Sequence, residues 1–394
     1  MTAPAPADAE LRPYPFQPFT GDLPAEMLDM VLTQPVSRVR LPDGRPAWLV
    51  LGYQECRTVL SDPRFSRHPW SEAEAPDAAH ARDLSMNGPA HHAVRRFAYR
   101  AFTPRQIALL RTRVQRLADT LVDAMIADPK PADLVSALVA PFPALTVCEL
   151  LGLPSGDWPK FYGWHLAISA LHAHDSDATV VALSEMRGYL AQQLAAKRAA
   201  PADDLLSQWA TGHGGQVLTD DEITELSAVV LLAGLEINTI SSGLRALFAN
   251  PGELAKLRAA PEKLKAAVEE IIRYTTHSSM FLVQYVTEDL ELGGVAIRAG
   301  DAVMAIPGAA NRDPRYFARP NVFDIDRVLT VPHLGLGLGP HFCLGAALGR
   351  LELEVAIGTL LRRLPGLAPA VPLSELPWRN ERFNCGMAAF PVIW

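Results

Sequence analysis

Cys343 is the residue whose surroundings speak most directly of chemistry. It stands in the run His333-Leu-Gly-Leu-Gly-Leu-Gly-Pro-His-Phe-Cys343-Leu-Gly-Ala-Ala-Leu-Gly-Arg350-Leu-Glu352. Gly335, Gly337 and Gly339 alternate before it, and glycine permits tight turns and the close approach of a flat ligand. An apolar pattern over 344–364 predicts a helix just after the cysteine. The unpaired N–H groups and positive end of such a helix favour a thiolate over a thiol. Gly345 removes side-chain bulk beside the sulfur. These are the conditions for a cysteine that ligates iron, and thiolate ligation favours O–O cleavage. A dinucleotide loop would need a third glycine where Pro340 stands, and no strand–helix–strand unit surrounds the segment. Cys56, Cys148 and Cys385 are far apart and form no CxxC pair, so they read as buried thiols rather than as disulfides or zinc ligands.

Other spacings carry weaker signals. Glu270 and Arg273 lie three residues apart, on one face of a helix; alone, they read as a common surface pair. His91 and Arg95 are four apart on a predicted helix, and unaided His91 and His92 read as a solvated pair. Thr219-Asp-Asp-Glu222 is a capping box. It opens a predicted long helix that ends near Asn250 and is apolar on several faces, hence buried. Inside it Gly234 costs about 1 kcal/mol relative to alanine. Glu236 is a carboxylate in an apolar run, followed by Ile237 and Asn238. Either a functional role or a buried salt bridge accounts for Glu236.

These residues need elements to position them. Residues 36–41 and 46–51 read as strands joined by an Asp43-Gly44 turn, and 53–61 as a helix. Residues 64–88 are polar without a period. The pattern from 89 to 249 is mainly helical, broken at Pro104, Pro129, Pro154 and Pro201. A helix over 261–274 precedes a β-like patch over 281–306, an irregular segment over 311–339, the helix after Cys343 and a β-type tail over 378–394. The chain is mainly α with a small β region, without βαβ alternation or internal repeats. With 394 residues and a net charge of -7, it has material for a large core and no case for nucleic acid as a partner. Residues 1–10 have neither the basic start nor the apolar run of a leader. No run of about 18 uninterrupted apolar residues marks a membrane span. An unanchored cytoplasmic protein with a flexible start over 1–15 is expected.

The cysteine loop resembles the heme-binding loop of the cytochrome P450 family, the soluble bacterial branch in particular. Gly337, Gly339, His341, Cys343, Gly345 and Arg350-Leu-Glu352 carry the match; Leu336 departs from it, standing where the family usually has phenylalanine. Glu270-Ile-Ile-Arg273 is similar to the family's ExxR pair, and Asn311-Arg-Asp-Pro314, Phe317, Pro320, Phe323-Asp324 and Arg327 to its meander. The resemblance implies a triangular single domain over 16–394 and heme b on the Cys343 thiolate, between the loop and the long helix. It implies that Arg327 joins Glu270 and Arg273 in a buried network that holds the loop. It makes His91, Arg95 and His341 partners of the heme propionates, with Gln284 at a position where the family usually has arginine.

On the oxygen side the family typically reads Ala-Gly-x-Asp/Glu-Thr-Thr. Its glycine leaves room for dioxygen, and its acid and alcohol relay protons. Here Ala233, Gly234 and Glu236 match, but Ile237 replaces the alcohol and Asn238 the residue after it. O–O cleavage needs timely protons, and isoleucine donates none. The substrate could order the water, Asn238 or Thr239 could substitute, or the reaction could be a coupling without oxygen insertion. The resemblance places the pocket around 70–86, 164–172, 230–238, 276–282 and 383–385, where Trp70, Met86, Trp164, Leu166, Met280, Phe281 and Phe383 mix with His165, His172, Asn238 and Asn384. It implies a monooxygenase-type oxidoreductase that acts on a natural-product intermediate, aromatic or peptide-like, with oxidative aryl or phenol coupling and a low-turnover heme-binding module as alternatives. Electrons would come from a separate ferredoxin and ferredoxin reductase, steered to a basic patch drawn from Arg95, Arg96, Arg100, Arg105, Arg350, Arg362 and Arg363.

Overall fold

A computed structural model describes residues 11–67, 87–169, 177–212, 218–235, 238–275, 283–380 and 385–394. The fold is mainly helical with small sheets, as the periodicities predict. The chain forms two compact units. Among the described residues, the first holds 11–67, Asn87, Gly88 and 269–343, and the second holds 89–268 and 344–394.

The first unit is built on a six-stranded sheet. Its order is Arg12–Pro13, Val36–Arg40, Pro46–Val50, Ala302–Ala305, Val283–Val286 and Phe65–Ser66. The expected hairpin is present, with Val36 opposite Val50 and Arg40 opposite Pro46. Gly44 takes the positive φ of 85° that its turn requires. Pro46–Val50 is apolar throughout because both faces of the sheet are covered. Ala47, Leu49 and Leu51 pack with Met27 and Val31 of the helix Ala25–Thr33. Trp48 and Val50 pack with Tyr53, Cys56 and Val59 of the helix Tyr53–Ser61. Arg12–Pro13 pairs in parallel with Val36–Arg40, and Leu11 and Tyr14 are buried. Ordered structure therefore begins inside the span expected to be flexible, because the sheet edge captures it. The β-like patch resolves into the sheet strands and a separate hairpin, Leu290–Leu292 with Val295–Ile297, turning at Gly293-Gly294 with φ of 57° and 78°.

The second unit is a helical assembly. The helix Pro104–Ala127 packs on Ala346–Arg363, and its Ile107, Leu110, Val114, Ala118, Val122 and Met125 form one buried stripe at steps of three and four. Thr103 caps it, accepting from the Gln106 N–H, and Pro104 opens its first turn. The helix Asp177–Ala199 packs on Asp220–Gly234 and Trp158–Ile168. The tail forms strands as expected: Pro391–Ile393 lies between Ala368–Pro369 and Ala132–Asp133, and Trp378–Arg379 pairs with Gly386–Met387.

The predicted long helix starts as expected. The Thr219 hydroxyl accepts from the Glu222 N–H at 3.2 Å, and the Glu222 carboxylate accepts from the Thr219 N–H at 2.9 Å. Its described residues give two helices, Asp220–Gly234 and Asn238–Ala249. Leu235 leaves helical geometry with ψ at 33°, and Glu236 and Ile237 lie outside the described residues. By length and composition alone the span Asp220–Ala249 could cross a membrane, with a hydropathy of 1.5, but 56% of its apolar window is buried within the fold.

Leu49 is fully buried at the centre of one face of the sheet. Leu49→Ala is expected to destabilise the protein by about 2–5 kcal/mol. A thermal-unfolding midpoint equal to wild type would show that this layer does not support the first unit.

Candidate functional site

Within the first unit, one buried carboxylate holds two guanidinium groups. The helix Leu264–Thr275 brings Glu270 and Arg273 onto one face, where Arg273 Nε and Nη2 donate to the two Glu270 oxygens at 2.7 and 2.8 Å. Arg327 Nε donates to both of the same oxygens at 3.1 Å, and the Asp324 N–H to Oε1 at 2.9 Å. Arg273 is 0% and Glu270 2% exposed, so this is no surface pair. The remaining guanidinium hydrogens reach backbone carbonyls of the irregular segment: Arg273 binds those of Asn311, Pro320 and Val322, and Arg327 those of Ala318, Arg319 and Val322. The expected three-residue network is therefore present.

Asn311 connects this network to the cysteine loop. Its Nδ2 donates to the Arg273 carbonyl at 3.2 Å, and its Oδ1 accepts from the Leu334 N–H at 2.7 Å. His333 adds a second strut. The Gly335 N–H donates to His333 Nδ1, so Nε2 carries the proton that reaches Glu269 Oε2 at 3.2 Å. The loop then winds through Gly337 and Gly339, with φ of 76° and 68°. At Gly339 a Cβ would also lie 2.6 Å from the Leu60 carbonyl oxygen and 3.0 Å from Ser61 Cα. The Cys343 N–H donates to the Leu336 carbonyl at 2.8 Å.

The four thiols differ in the way an iron ligand requires. Cys343 is exposed, while Cys56, Cys148 and Cys385 are buried. Burial pushes the Cys56 thiol far above its ordinary range and the Cys148 thiol up to about 12, so neither ionises readily near neutral pH. A Cβ at Gly345 would meet no atom of the protein within 4 Å, so packing within the chain does not demand the glycine. A soft, exposed sulfur on a braced loop, beside a glycine that the protein's own contacts leave optional, fits heme as its ligand.

The other expected residues are distributed between the units. His341, Gln284 and Cys343 belong to the first; His91, Arg95, Gly234, Asn238 and Gly345 belong to the second. His91 is 1% exposed on the helix Pro89–Tyr99 and Arg95 is half-buried, so His91 and His92 are not a solvated pair. Gln284 is buried in its strand opposite Val303. His341 Nε2 is bonded to Asn87 Oδ1 at 2.6 Å, a partner that sequence reasoning did not single out. Gly234 has a packing explanation: a Cβ there would collide with Val147 Cγ2. Trp164 belongs to an aromatic cluster with Phe161 and Tyr189, and its Nε1 donates to Glu185 at 3.0 Å. Trp70, Met86, His172, Thr276, Met280, Phe281, Phe383 and Asn384 lie outside the described residues. Two arginines of the expected basic patch are paired, Arg362 with Asp119 and Arg363 with Asp119 and Asp123, while Arg96 and Arg105 are exposed.

Gly339→Ala should destabilise the loop twice over, through its backbone conformation and through Leu60. The expected loss is about 2 kcal/mol or more. It would be read as a lower thermal midpoint and faster heme release, and unchanged values for both would contradict the geometry.

A family model for cytochrome P450 matches residues 176–366. Nocardicin C N-oxygenase from Nocardia uniformis subsp. tsuyamanensis is 38% identical over 395 residues, covering 98% of this chain and 99% of that protein. Among solved structures, SgvP, assigned as a thioether synthase in the griseoviridin tailoring step, superposes with a TM-score of 0.90 at 38% identity, covering 98% of this chain and 100% of that one. Cytochrome P450mel 107F1, with biaryl coupling reactivity, superposes with a TM-score of 0.86 at 35% identity, covering 97% and 100%. The braced loop, its exposed thiol and these full-length likenesses lead to one conclusion: the chain belongs to the cytochrome P450 family of heme-thiolate monooxygenases.

Proposed function

We propose that this enzyme oxidises a small natural-product intermediate, aromatic or peptide-like, in the cytoplasm, with proton delivery that does not use an alcohol at position 237. Electrons come from a ferredoxin and its reductase. The observation that carries the atypical proton delivery is Ile237, next to Glu236 in the otherwise matching Ala233-Gly234 segment. The natural-product assignment draws support from relatives named for nocardicin C and griseoviridin. Oxidative aryl or phenol coupling is the second reading, favoured by the likeness to a protein with biaryl coupling reactivity.

Heme supplies dioxygen activation when bound to the Cys343 thiolate. The chain supplies position, charge and protons. The Glu270 network and Asn311 fix the loop that carries the sulfur. His91, Arg95 and His341 serve the propionates, with Gln284 giving a neutral hydrogen bond where a guanidinium would give a charge-assisted one. Glu236 is the carboxylate assigned to hold a proton for the reaction. Ile237 contributes none, so ordered water on a hydroxyl or amide of the substrate completes the relay.

The carbon monoxide difference spectrum of the reduced protein tests the ligand. Wild type should show the thiolate-type band, and Cys343→Ala or Cys343→His should abolish it; a band that survives would remove the basis of the reading. Ile237→Thr tests the proton route. Without substrate, peroxide released per NADH consumed should fall about tenfold, the effect of a barrier change of about 1.4 kcal/mol. A wild type that releases little peroxide without substrate, unaffected by the substitution, would exclude substrate-dependent delivery. Product formation with a reconstituted reductase system distinguishes oxygen insertion from coupling, and no product from any substrate class would leave a heme-binding module.

A further inference from the structure

The helix that follows the cysteine carries a row of charge pairs that the proposed function does not use. Arg111, Gln115, Asp119 and Asp123 of the helix Pro104–Ala127 meet Glu354, Thr359, Arg362 and Arg363 of the helix Ala346–Arg363. The numbers rise together on both helices, so the two run in the same direction along this row. Arg362 Nη2 donates to Asp119 Oδ1 at 3.2 Å, Arg363 Nη1 lies 3.5 Å from the same oxygen, and Arg363 Nη2 donates to Asp123 Oδ1. Gln115 Nε2 donates to Thr359 Oγ1 at 2.7 Å and to Asp119 Oδ2 at 3.1 Å, which holds the Asp119 carboxylate in place. Arg111 is paired with Glu354. Every cation of the row thus has a carboxylate. Arg105 and Arg116, exposed on the first helix, have no ion pair among the described residues, and both lie nearer the cysteine end than Arg362 and Arg363 do.

We infer that Asp119 and Asp123 are specificity-determining residues: they neutralise Arg362 and Arg363, so that a small acidic electron-transfer protein is not drawn to the far end of the helix. The inference rests on the reading above that electrons arrive from a ferredoxin. Two physical points support it. The helix starts three residues after Cys343, and its rise places Arg362 about 24 Å further along the axis than Ala346. That is more than twice the screening length of about 10 Å at about 0.1 M salt. A bare pair of cations there would attract an acidic protein independently of the cations near the loop, and would hold it where the sulfur is remote. The second point is exposure. The Arg362 side chain is 58% exposed and Asp123 65%, so these pairs add little to stability. Their charge acts instead on any partner that approaches.

The test uses the heme-loaded protein and a strongly acidic plant-type [2Fe–2S] ferredoxin as the probe. Binding is read by calorimetry at low and high salt. Electron delivery is read as the rate at which the reduced carbon monoxide complex forms with less ferredoxin than enzyme. In the double variant Asp119→Asn, Asp123→Asn, the Kd at low salt should fall about tenfold. Electron delivery should slow, because ferredoxin is held away from the sulfur. Both differences should vanish at high salt. Adding Arg362→Gln and Arg363→Gln should return both to wild-type values. An unchanged Kd in the double variant would overturn the inference, as would a lower Kd that the arginine substitutions do not reverse. Tighter binding with unchanged or faster electron delivery would also overturn it, since the far end would then be a working docking face. A wild type that accepts no electrons from the ferredoxin would instead overturn the underlying reading, and that rate is recorded first.

Discussion

The cysteine loop depends on a buried carboxylate that is shared by two arginines. Taking three charges out of water costs several kcal/mol for each ion, so the arrangement persists only where every polar group is satisfied. Here the requirement is met by the backbone. Glu270 accepts from Arg273, Arg327 and the Asp324 N–H. The two guanidiniums have more donors than one carboxylate can take, and the surplus goes to five carbonyls between Asn311 and Val322. That segment has no strand and little helix to bind its own carbonyls. The ion cluster and the irregular backbone therefore solve each other's problem. Arg319, with a positive φ of 46°, sits inside this arrangement, its carbonyl bound by Arg327 and its side chain paired with Asp324. Strain of that kind survives only where the surroundings over-determine it.

From there, order passes to the sulfur in short steps. Asn311 donates to the Arg273 carbonyl and accepts from the Leu334 N–H, so an error in the network is transmitted to the start of the loop. His333 constrains the same point from the other side, its tautomer set by Gly335 and its proton given to Glu269. Consecutive carboxylates on one helix thus divide the task. Glu270 organises the meander from within the core, and Glu269 reaches the loop directly. Beyond Leu334 the chain bends at Gly337 and Gly339, His341 is tied to Asn87, and the Cys343 N–H closes on Leu336.

Much of this was legible in the sequence, and the parts that were not share a cause. The hairpin at Gly44, the capping box at Thr219, the stripe of Pro104–Ala127 and the tail strands follow from local pattern and turn chemistry, and they appear with nearly the expected bounds. Glu270, Arg273 and Arg327 were legible only through the family resemblance, since a pair three residues apart looks the same on a surface as in a core. Asn87 as the partner of His341 was not legible. The two are far apart in sequence and nothing in either neighbourhood marks a bond between them. The Gly234 and Gly386 contacts were missed for the same reason: a glycine shows that space is short, but the residue that fills it, Val147 or Asn238, is named only by the tertiary structure.

That last point changes how the departures on the oxygen side are weighed. Gly234 reads in sequence as a residue kept for chemistry, yet Val147 alone would enforce it, so its presence says little about dioxygen. Asn238 reads as a candidate to replace the alcohol, and its amide lies close to Gly386. On the function proposed above, the chemical burden falls on Glu236 and on water that the substrate orders beside Ile237. A helix that relies on its substrate to complete a proton path gains discrimination, because a molecule that binds without the right polar group leaves the path broken. Selectivity and proton delivery would then be two consequences of the same polar group on the substrate.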